Sequence, residues 1–365
     1  MSSPEESNNY GVDPSLIAGN TLSDEEFMRQ GVQQLGESLQ AVAPHGSEAV
    51  SAYLSDLLQD RDGKAPEHER LAAFDLLAAG EKNAIGESVV TYGAQVLGEM
   101  GTTDTQAKQT IGEAFRPMGR MVQDIKERYR GVTMRIDNGD MRGADMTQAA
   151  TVEVVQRFGK NLGSVSQGVT GWRQRQDGQL KNLSTRIHAG RSHEAALDKA
   201  GASLLPGYEG EQQDASALIS EATKTTIAVK VTDLMNKGAE QGQSSHDVMA
   251  TLAEHTRNDS SAPKVRALIK FTETYSGILK QSGRIGSALQ ETSQKSQQFL
   301  SASQQPFQHM RPADVPDQYR IQNRRIMDME SGAQNIAGRT NETLRASSET
   351  ITQAYHAIRP NQSRA

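Results

Sequence analysis

Residues 264–303 read KVRALIKFTETYSGILKQSGRIGSALQETSQKSQQFLSAS, and the spacing of their apolar side chains decides the fold class. Ten positions from Leu268 to Phe299 follow one another at alternating intervals of three and four residues. This heptad spacing puts all ten on one face of a helix and predicts a seam packed against other helices. Three of the ten are serine or threonine, so the seam buries little apolar area and the helix needs partners. The ten positions are Leu268, Phe271, Tyr275, Ile278, Ser282, Ile285, Leu289, Thr292, Ser296 and Phe299.

The same spacing recurs in three other stretches, 107–136, 150–190 and 319–358. Prolines are absent from 118–205, 207–262 and 264–305, which leaves room for long helices because an interior proline costs a helix about 3 kcal/mol. Pro117 lies inside the first of these stretches and indicates either a helix start or a kink. Trp172, the only tryptophan, falls on the seam of the second stretch, so we expect it in a core, with a partner hot spot as the alternative.

The composition points away from a compact, aromatic-rich enzyme fold. The chain has 365 residues, of which aromatic residues make up 4% and cysteine none. Leu, Ile, Val and Phe number 67, about 18% of the chain, just below the roughly 20% under which a packed core becomes hard to build. The absence of cysteine excludes disulfides, thiol nucleophiles and cysteine-ligated zinc.

The sequence of the N-terminal part predicts shorter helices. Residues 1–21 are polar and predicted to be disordered, and Ser23 with Glu26 forms a capping box that predicts a helix start. Short helices are expected at about 23–42, 47–59, 67–79 and 84–100. The predicted domains are a disordered segment 1–21, a small helical domain 22–104, a long-helix bundle 105–304, a proline-containing linker 305–318 and a helical C-terminal tail 319–365.

These patterns together predict an all-α protein. A small N-terminal helical domain is joined to a long-helix, coiled-coil-like bundle with polar heptad seams, and a helical tail follows. We expect a helix content well above the usual third of a chain.

The sharpest local signal is a partial calcium loop. With Gly63 at the sixth position of such a loop, Asp60, Asp62 and Glu69 fall at positions three, five and twelve. Leu58 stands where the first carboxylate ligand belongs, so the alternative is a turn followed by a helix that begins with acidic residues. The candidate metal ligands are therefore Asp60, Asp62 and Glu69, with calcium as the candidate ion.

Other motifs that carry chemistry are missing from the sequence. It contains no phosphate-binding glycine loop, no Gly-x-Ser-x-Gly elbow and no His-Glu-x-x-His pair. An enzyme with an unrecognised site in the N-terminal domain stays open, because acidic residues are plentiful there.

The charge distribution limits which classes of partner the chain is expected to bind. Residues 1–90 carry 16 acids and 5 bases, residues 306–365 carry 8 bases and 6 acids, and the middle has a net charge of about +3. The basic segments 126–130 and 324–325 are diluted by acids, which disfavours nucleic acid as a partner. No apolar run approaches the ~20 residues of a membrane span, and residues 1–20 lack the apolar core of a secretory signal.

Our first functional hypothesis is a non-enzymatic protein–protein interaction protein. It would be exported or translocated by bacteria without a cleaved signal, as a virulence effector or as a tip or gate component of a secretion apparatus. The alternatives are a bacteriophage virion or assembly protein that forms a homo-oligomer, and an enzyme or calcium-responsive module. Protein partners or self-association would use the helical seams, at Leu268, Phe271, Tyr275, Ile278, Ile285, Leu289, Phe299 and Trp172.

Overall fold

A computed structural model describes residues 23–60, 63–210, 214–257 and 260–359. The structure is 89% helical, and the described ranges contain no strand, which confirms the predicted all-α class. The predicted disorder of residues 1–21 lies outside the described residues. The helices are α1 (Asp24–Val42), α2 (Ser47–Gln59), α3 (Glu67–Asp137), α4 (Met141–Ser203), α5 (Glu221–Glu240), α6 (Ser245–Arg257), α7 (Ala262–Ala302) and α8 (Val315–Ile358).

Local signals set the first helix boundaries. The predicted capping box is confirmed: Glu26 N donates to Ser23 Oγ and Ser23 N donates to a Glu26 carboxylate oxygen, both at 3.3 Å. Gly46, with φ of +95°, reverses the chain between α1 and α2. Asp60 ends α2 in the left-handed conformation, with φ of +39°.

Helix α3 corrects one sequence-based expectation and excludes one of the two alternatives for Pro117. The separate helices predicted at 67–79 and 84–100 are parts of one helix of 71 residues. Pro117 lies inside this helix and is not its start. Proline has no N–H to donate to the carbonyl of Glu113, and Glu113 is exposed, so water can serve that carbonyl instead. Long-range packing of the helix face outweighs the local signals for a break.

The contacts between residues divide the chain into two compact units, residues 1–86 with 190–260 and residues 87–189 with 261–365. In the first unit, α1, α2, α5 and α6 surround the first part of α3 and the last part of α4. Its core is apolar and mostly aliphatic, with leucines of α1 and α2 in one cluster with Phe74 and Leu77 of α3 and Val231 of α5. The sequence-based domain boundaries follow chain order and stay a prediction.

The second unit consists of four antiparallel helical segments: residues 87–137 of α3, residues 141–189 of α4, α7 and α8. Hydrogen bonds and ion pairs between neighbouring segments join side chains nearer the N-terminus of one segment to side chains nearer the C-terminus of the next. Neighbouring segments are therefore antiparallel. These bonds are Arg186–Ser88 and Trp172–Asp104 between α4 and α3, Tyr275–Ser347 and Lys295–Asp328 between α7 and α8, and Lys126–Glu330 between α3 and α8.

All ten heptad positions of α7 are buried in this unit, so the predicted seam is confirmed as a packing face. Its neighbours approach closely because small residues meet: Gly332 of α8 lies against Thr292, where a Cβ atom would clash. Along α8, Ile326, Met329, Ile336, Leu344 and Ile351 face the same core.

Replacing Ile285 with Asp should disrupt this packing. Ile285 is 1% exposed, and a carboxylate there has no partner, so we expect a loss of roughly 3–5 kcal/mol in the free energy of unfolding. Urea unfolding followed by Trp172 fluorescence measures it. The control Ser287→Asp changes an exposed position of the same helix and should stay within about 0.5 kcal/mol of the parent. A seam that tolerates Ile285→Asp would contradict the packing described.

Candidate functional site

The residues predicted to bind partners are placed inside the second unit. Each is at most 8% exposed, with Leu268, Tyr275 and Phe299 fully buried. They contact other helices of the same chain; for example, Phe299 meets Tyr129 of α3 edge to face at 6.1 Å. The use of this seam by another molecule stays a prediction. The eight residues are Leu268, Phe271, Tyr275, Ile278, Ile285, Leu289, Phe299 and Trp172.

The predicted calcium ligands are only partly described, because Asp62 lies outside the described residues. Asp60 Oδ1 accepts from Ala65 N at 2.9 Å, and its other oxygen lies 3.5 Å from Arg70 Nη1. Glu69 accepts from the Tyr53 hydroxyl. Burial and this hydrogen bond raise the pKa of Tyr53 to about 12. The described residues contain no group of three acidic or histidine side chains that could hold a metal, and calcium binding stays a prediction.

The most distinctive cluster of the second unit is a buried carboxylate. Asp104 of α3 is 1% exposed, and its Oδ1 accepts from Trp172 Nε1 at 2.7 Å and from Gln176 Nε2 at 2.8 Å. Gln176 Nε2 also lies 3.0 Å from the carbonyl of Met100. Two side chains of α4 therefore bind one turn of α3, at a level of the core where apolar contact alone would be less directional.

Helices α7 and α8 contribute further polar side chains to this level of the core. Ser348 Oγ donates to Asp104 Oδ2 at 3.3 Å, and Lys108 Nζ donates to Ser348 Oγ at 2.7 Å. Beside them, the Tyr275 hydroxyl and Ser347 Oγ are 2.6 Å apart. Burial, and then the negative charge of Asp104, raise the pKa of Tyr275 above its usual value, so the phenol stays protonated. We call Asp104, Trp172, Gln176, Tyr275, Ser347 and Ser348 the polar layer.

This layer can fix how the four helices align. Each helix contributes at least one hydrogen-bonding group, so sliding one helix along another would leave buried donors and acceptors unpaired. Removing a partner from such a network costs more than its net contribution suggests, because the group left behind is desolvated. The polar layer therefore specifies the register of the helices as well as holding them together.

A second group of polar contacts joins α3, α7 and α8 at the end of the unit away from the polar layer. Tyr129 Oη donates to Gln322 Oε1 at 2.8 Å, and Gln322 Nε2 donates to the carbonyl of Ala302 at 3.0 Å. Burial raises the pKa of Tyr129, so this donor also stays protonated. Asp145 accepts from the backbone N of Phe307 at 2.6 Å and so fixes the α7–α8 connection to α4.

An open groove of about 360 Å³ runs between α3 and α4 beside the polar layer. Trp172 and the backbone of Gly168 and Gly171 form part of its lining, and the remaining residues are mostly amide or hydroxyl side chains with one acid, Glu113, and one base, Arg175. The groove is open and uncharged overall, so its lining gives no preference for a particular ligand.

The sequence supplied part of this site. Trp172 was a seam position, and Gln176 continues the same spacing, so their burial was predictable from periodicity. Asp104 carried no such signal, because an acid in a long helix is ordinarily solvent-exposed. Its burial follows from the donors that α4 and α8 bring to it.

None of the described helices combines the length and the apolar character needed to cross a membrane. Comparison of the chain with protein-family models, with curated proteins and with solved structures gave no match.

Replacing Asp104 with Ala should weaken the second unit. The change leaves the Trp172 N–H and the Gln176 amide without their acceptor, so we expect a loss of about 2–4 kcal/mol in the free energy of unfolding. Asp104→Asn keeps one acceptor oxygen and should lose clearly less. Unfolding curves from Trp172 fluorescence compare the two, and equal losses would show that the hydrogen bonds do not matter.

Proposed function

We propose that this chain is a non-enzymatic protein–protein interaction protein, exported or translocated by bacteria as an effector or as a tip or gate component of a secretion apparatus. The observation that carries the proposal is the polar content of the second unit's core. Hydroxyl, amide and carboxylate side chains occupy positions that apolar residues fill in a very stable bundle. They are Asp104, Gln148, Thr151, Gln176, Ser282, Thr292, Ser296, Gln322, Thr340 and Ser347.

Several of these groups bind only their own helix. Thr292 Oγ1 donates to the carbonyl of Ala288 at 2.8 Å, and Ser282 Oγ donates to that of Leu279 at 2.6 Å. Such bonds survive when the helices separate, so they add nothing to the association of the helices. Each hydroxyl also replaces a methyl or larger group that would contribute about 1 kcal/mol through burial. Positions such as Thr292 and Ser282 therefore contribute less to the association of the helices than apolar residues would.

Low association energy suits a chain that must unfold or rearrange. Passage through a narrow secretion channel requires the tertiary structure to open, and a weakly packed set of helices opens with little work. Helices of 41 to 71 residues also offer long surfaces to protein partners once they are exposed or rearranged. Weak packing supports transport, and the long helices support partner binding.

Filling one polar core position should stabilise the protein. Thr340 Oγ1 is buried and finds no hydrogen-bond partner among the described residues, so Thr340→Val replaces an unpaired hydroxyl with an isosteric methyl. We expect a gain of about 1 kcal/mol in the free energy of unfolding. The control Thr274→Val changes an exposed threonine of α7 and should give no gain. A destabilised Thr340→Val protein would contradict the described core.

Deleting residues 1–20 should block export and leave folding intact. The capping box of Ser23 and Glu26 remains, so the unfolding curve of the truncated protein should match that of the full chain. Transport is measured with a reporter enzyme fused to the C-terminus, in a bacterium with a needle-type secretion apparatus. A strain with a disabled apparatus is the control. Normal export of the truncated protein, or equal release from the disabled strain, would overturn the proposal.

A further inference from the structure

The two units carry opposite charge. The first unit has 26 acids and 11 bases, a net of −15, whereas the second has 28 bases and 19 acids, a net of +9. Their sum is the −6 of the whole chain. The sequence does not show this separation directly, because each unit combines two stretches that are distant along the chain.

Within the second unit, the positive charge lies on two helices. Residues 141–189 of α4 together with α7 hold 13 bases and 5 acids, whereas residues 87–137 of α3 together with α8 hold 12 of each. Helices α4 and α7 are neighbours: a Cβ atom on Gly159 would lie 3.6 Å from Ser296 Oγ, and one on Gly283 would lie 3.9 Å from the Arg173 guanidinium. The excess bases therefore belong to two neighbouring helices of the unit.

Most of these bases have no acidic partner within the part of the chain that the structure describes. Among the described residues, Arg157 and Lys295 alone of the thirteen form ion pairs, with Glu153 at 3.9 Å and Asp328 at 3.8 Å. Lys160 and Lys181 are 21 residues apart, and Arg266 and Lys280 are 14 apart, so each pair returns to one face of its helix after whole heptads. All four are exposed, as is Arg173. We call Lys160, Arg173, Lys181, Arg266 and Lys280 the basic face.

The first unit carries a matching surface on α1 and α2. These two helices contain six acids and a single base, Arg29. Glu25, Glu37, Glu48 and Asp56 are exposed and form no ion pair with the described residues. Helices α1 and α2 contact each other, so their acids belong to one part of the unit. We call Glu37, Glu48 and Asp56 the acidic face.

We infer that the basic face of one copy binds the acidic face of a second copy. Unpaired opposite charges steer and orient association, and here both surfaces belong to the same chain. A nucleic acid or an anionic membrane would instead meet a protein with a net charge of −6 and a first unit of −15. The inference goes beyond the proposed function, which names no surface.

A contact between two different faces does not close on itself. A bound pair of copies leaves the acidic face of one copy and the basic face of the other free, so the assembly can grow head to tail. Exposed ion pairs are individually weak and are screened by salt, so the association should be reversible and should disappear as ionic strength rises.

Two complementary variants test the inference. The first is Lys160→Gln, Arg173→Gln and Lys280→Gln, which neutralises the basic face; the second is Glu37→Gln, Glu48→Gln and Asp56→Asn, which neutralises the acidic face. Light scattering after size exclusion, at about 0.02 M and about 0.5 M salt, measures the mass. The parent should form oligomers at low salt and monomers at high salt. Each variant alone should stay monomeric, and an equal mixture should stop at two chains, since one intact face of each kind remains.

A matched control removes three bases from elsewhere on the second unit. Arg116→Gln, Arg120→Gln and Arg324→Gln change three exposed residues of α3 and α8 that form no ion pair among the described residues, with the same change in net charge. This control should oligomerise like the parent. Circular dichroism confirms that all variants keep their helix content.

Three results would overturn the inference. They are a monomeric parent at low salt, oligomers that persist in either single-face variant, and loss of oligomers in the control. Binding of duplex DNA or anionic vesicles by a monomeric parent, lost in the basic-face variant, would assign that face to phosphate instead. The export measurement is independent, because the truncated protein keeps both faces.

Discussion

The second unit depends on four helices meeting along seams in which small and polar side chains alternate with apolar ones. Gly332 allows α8 to reach Thr292, and Leu268, Ile285 and Phe299 supply the apolar contacts between polar positions. The helices are close enough to exclude water, yet the apolar area at each level is limited. Directional hydrogen bonds therefore contribute more to the alignment of the four helices than they would in an aliphatic core.

The polar layer at Asp104 is the clearest case. A carboxylate that is 1% exposed would be costly by itself, and donors from Trp172, Gln176 and Ser348 offset that cost. The donors come from α4 and α8, so the carboxylate is satisfied only when both helices are in register. The same interaction that stabilises the assembled unit penalises any partly assembled form.

The charge distribution adds a second organising feature. The basic face lies on the surface of α4 and α7, outside the core, and depends little on the packing of the core. Association through exposed charges weakens as ionic strength rises. The stability of the core depends instead on side-chain volume and hydrogen bonding. Core packing and surface charge can therefore be changed separately by mutation, so the proposed transport and the proposed self-association can be tested independently.

Periodicity along the chain determined the helical class, the seam of α7 and the burial of Trp172, because a heptad pattern is a local property that any helix displays. The capping box at Ser23 and Glu26 was equally local. The continuity of α3 was not predictable, since Gly80 and Pro117 weaken a helix locally and only packing against other helices outweighs them. Asp104 became a core residue through donors that lie 68 to 244 residues away. The opposite charges of the two units likewise depend on which distant stretches fold together, which the tertiary structure alone decides.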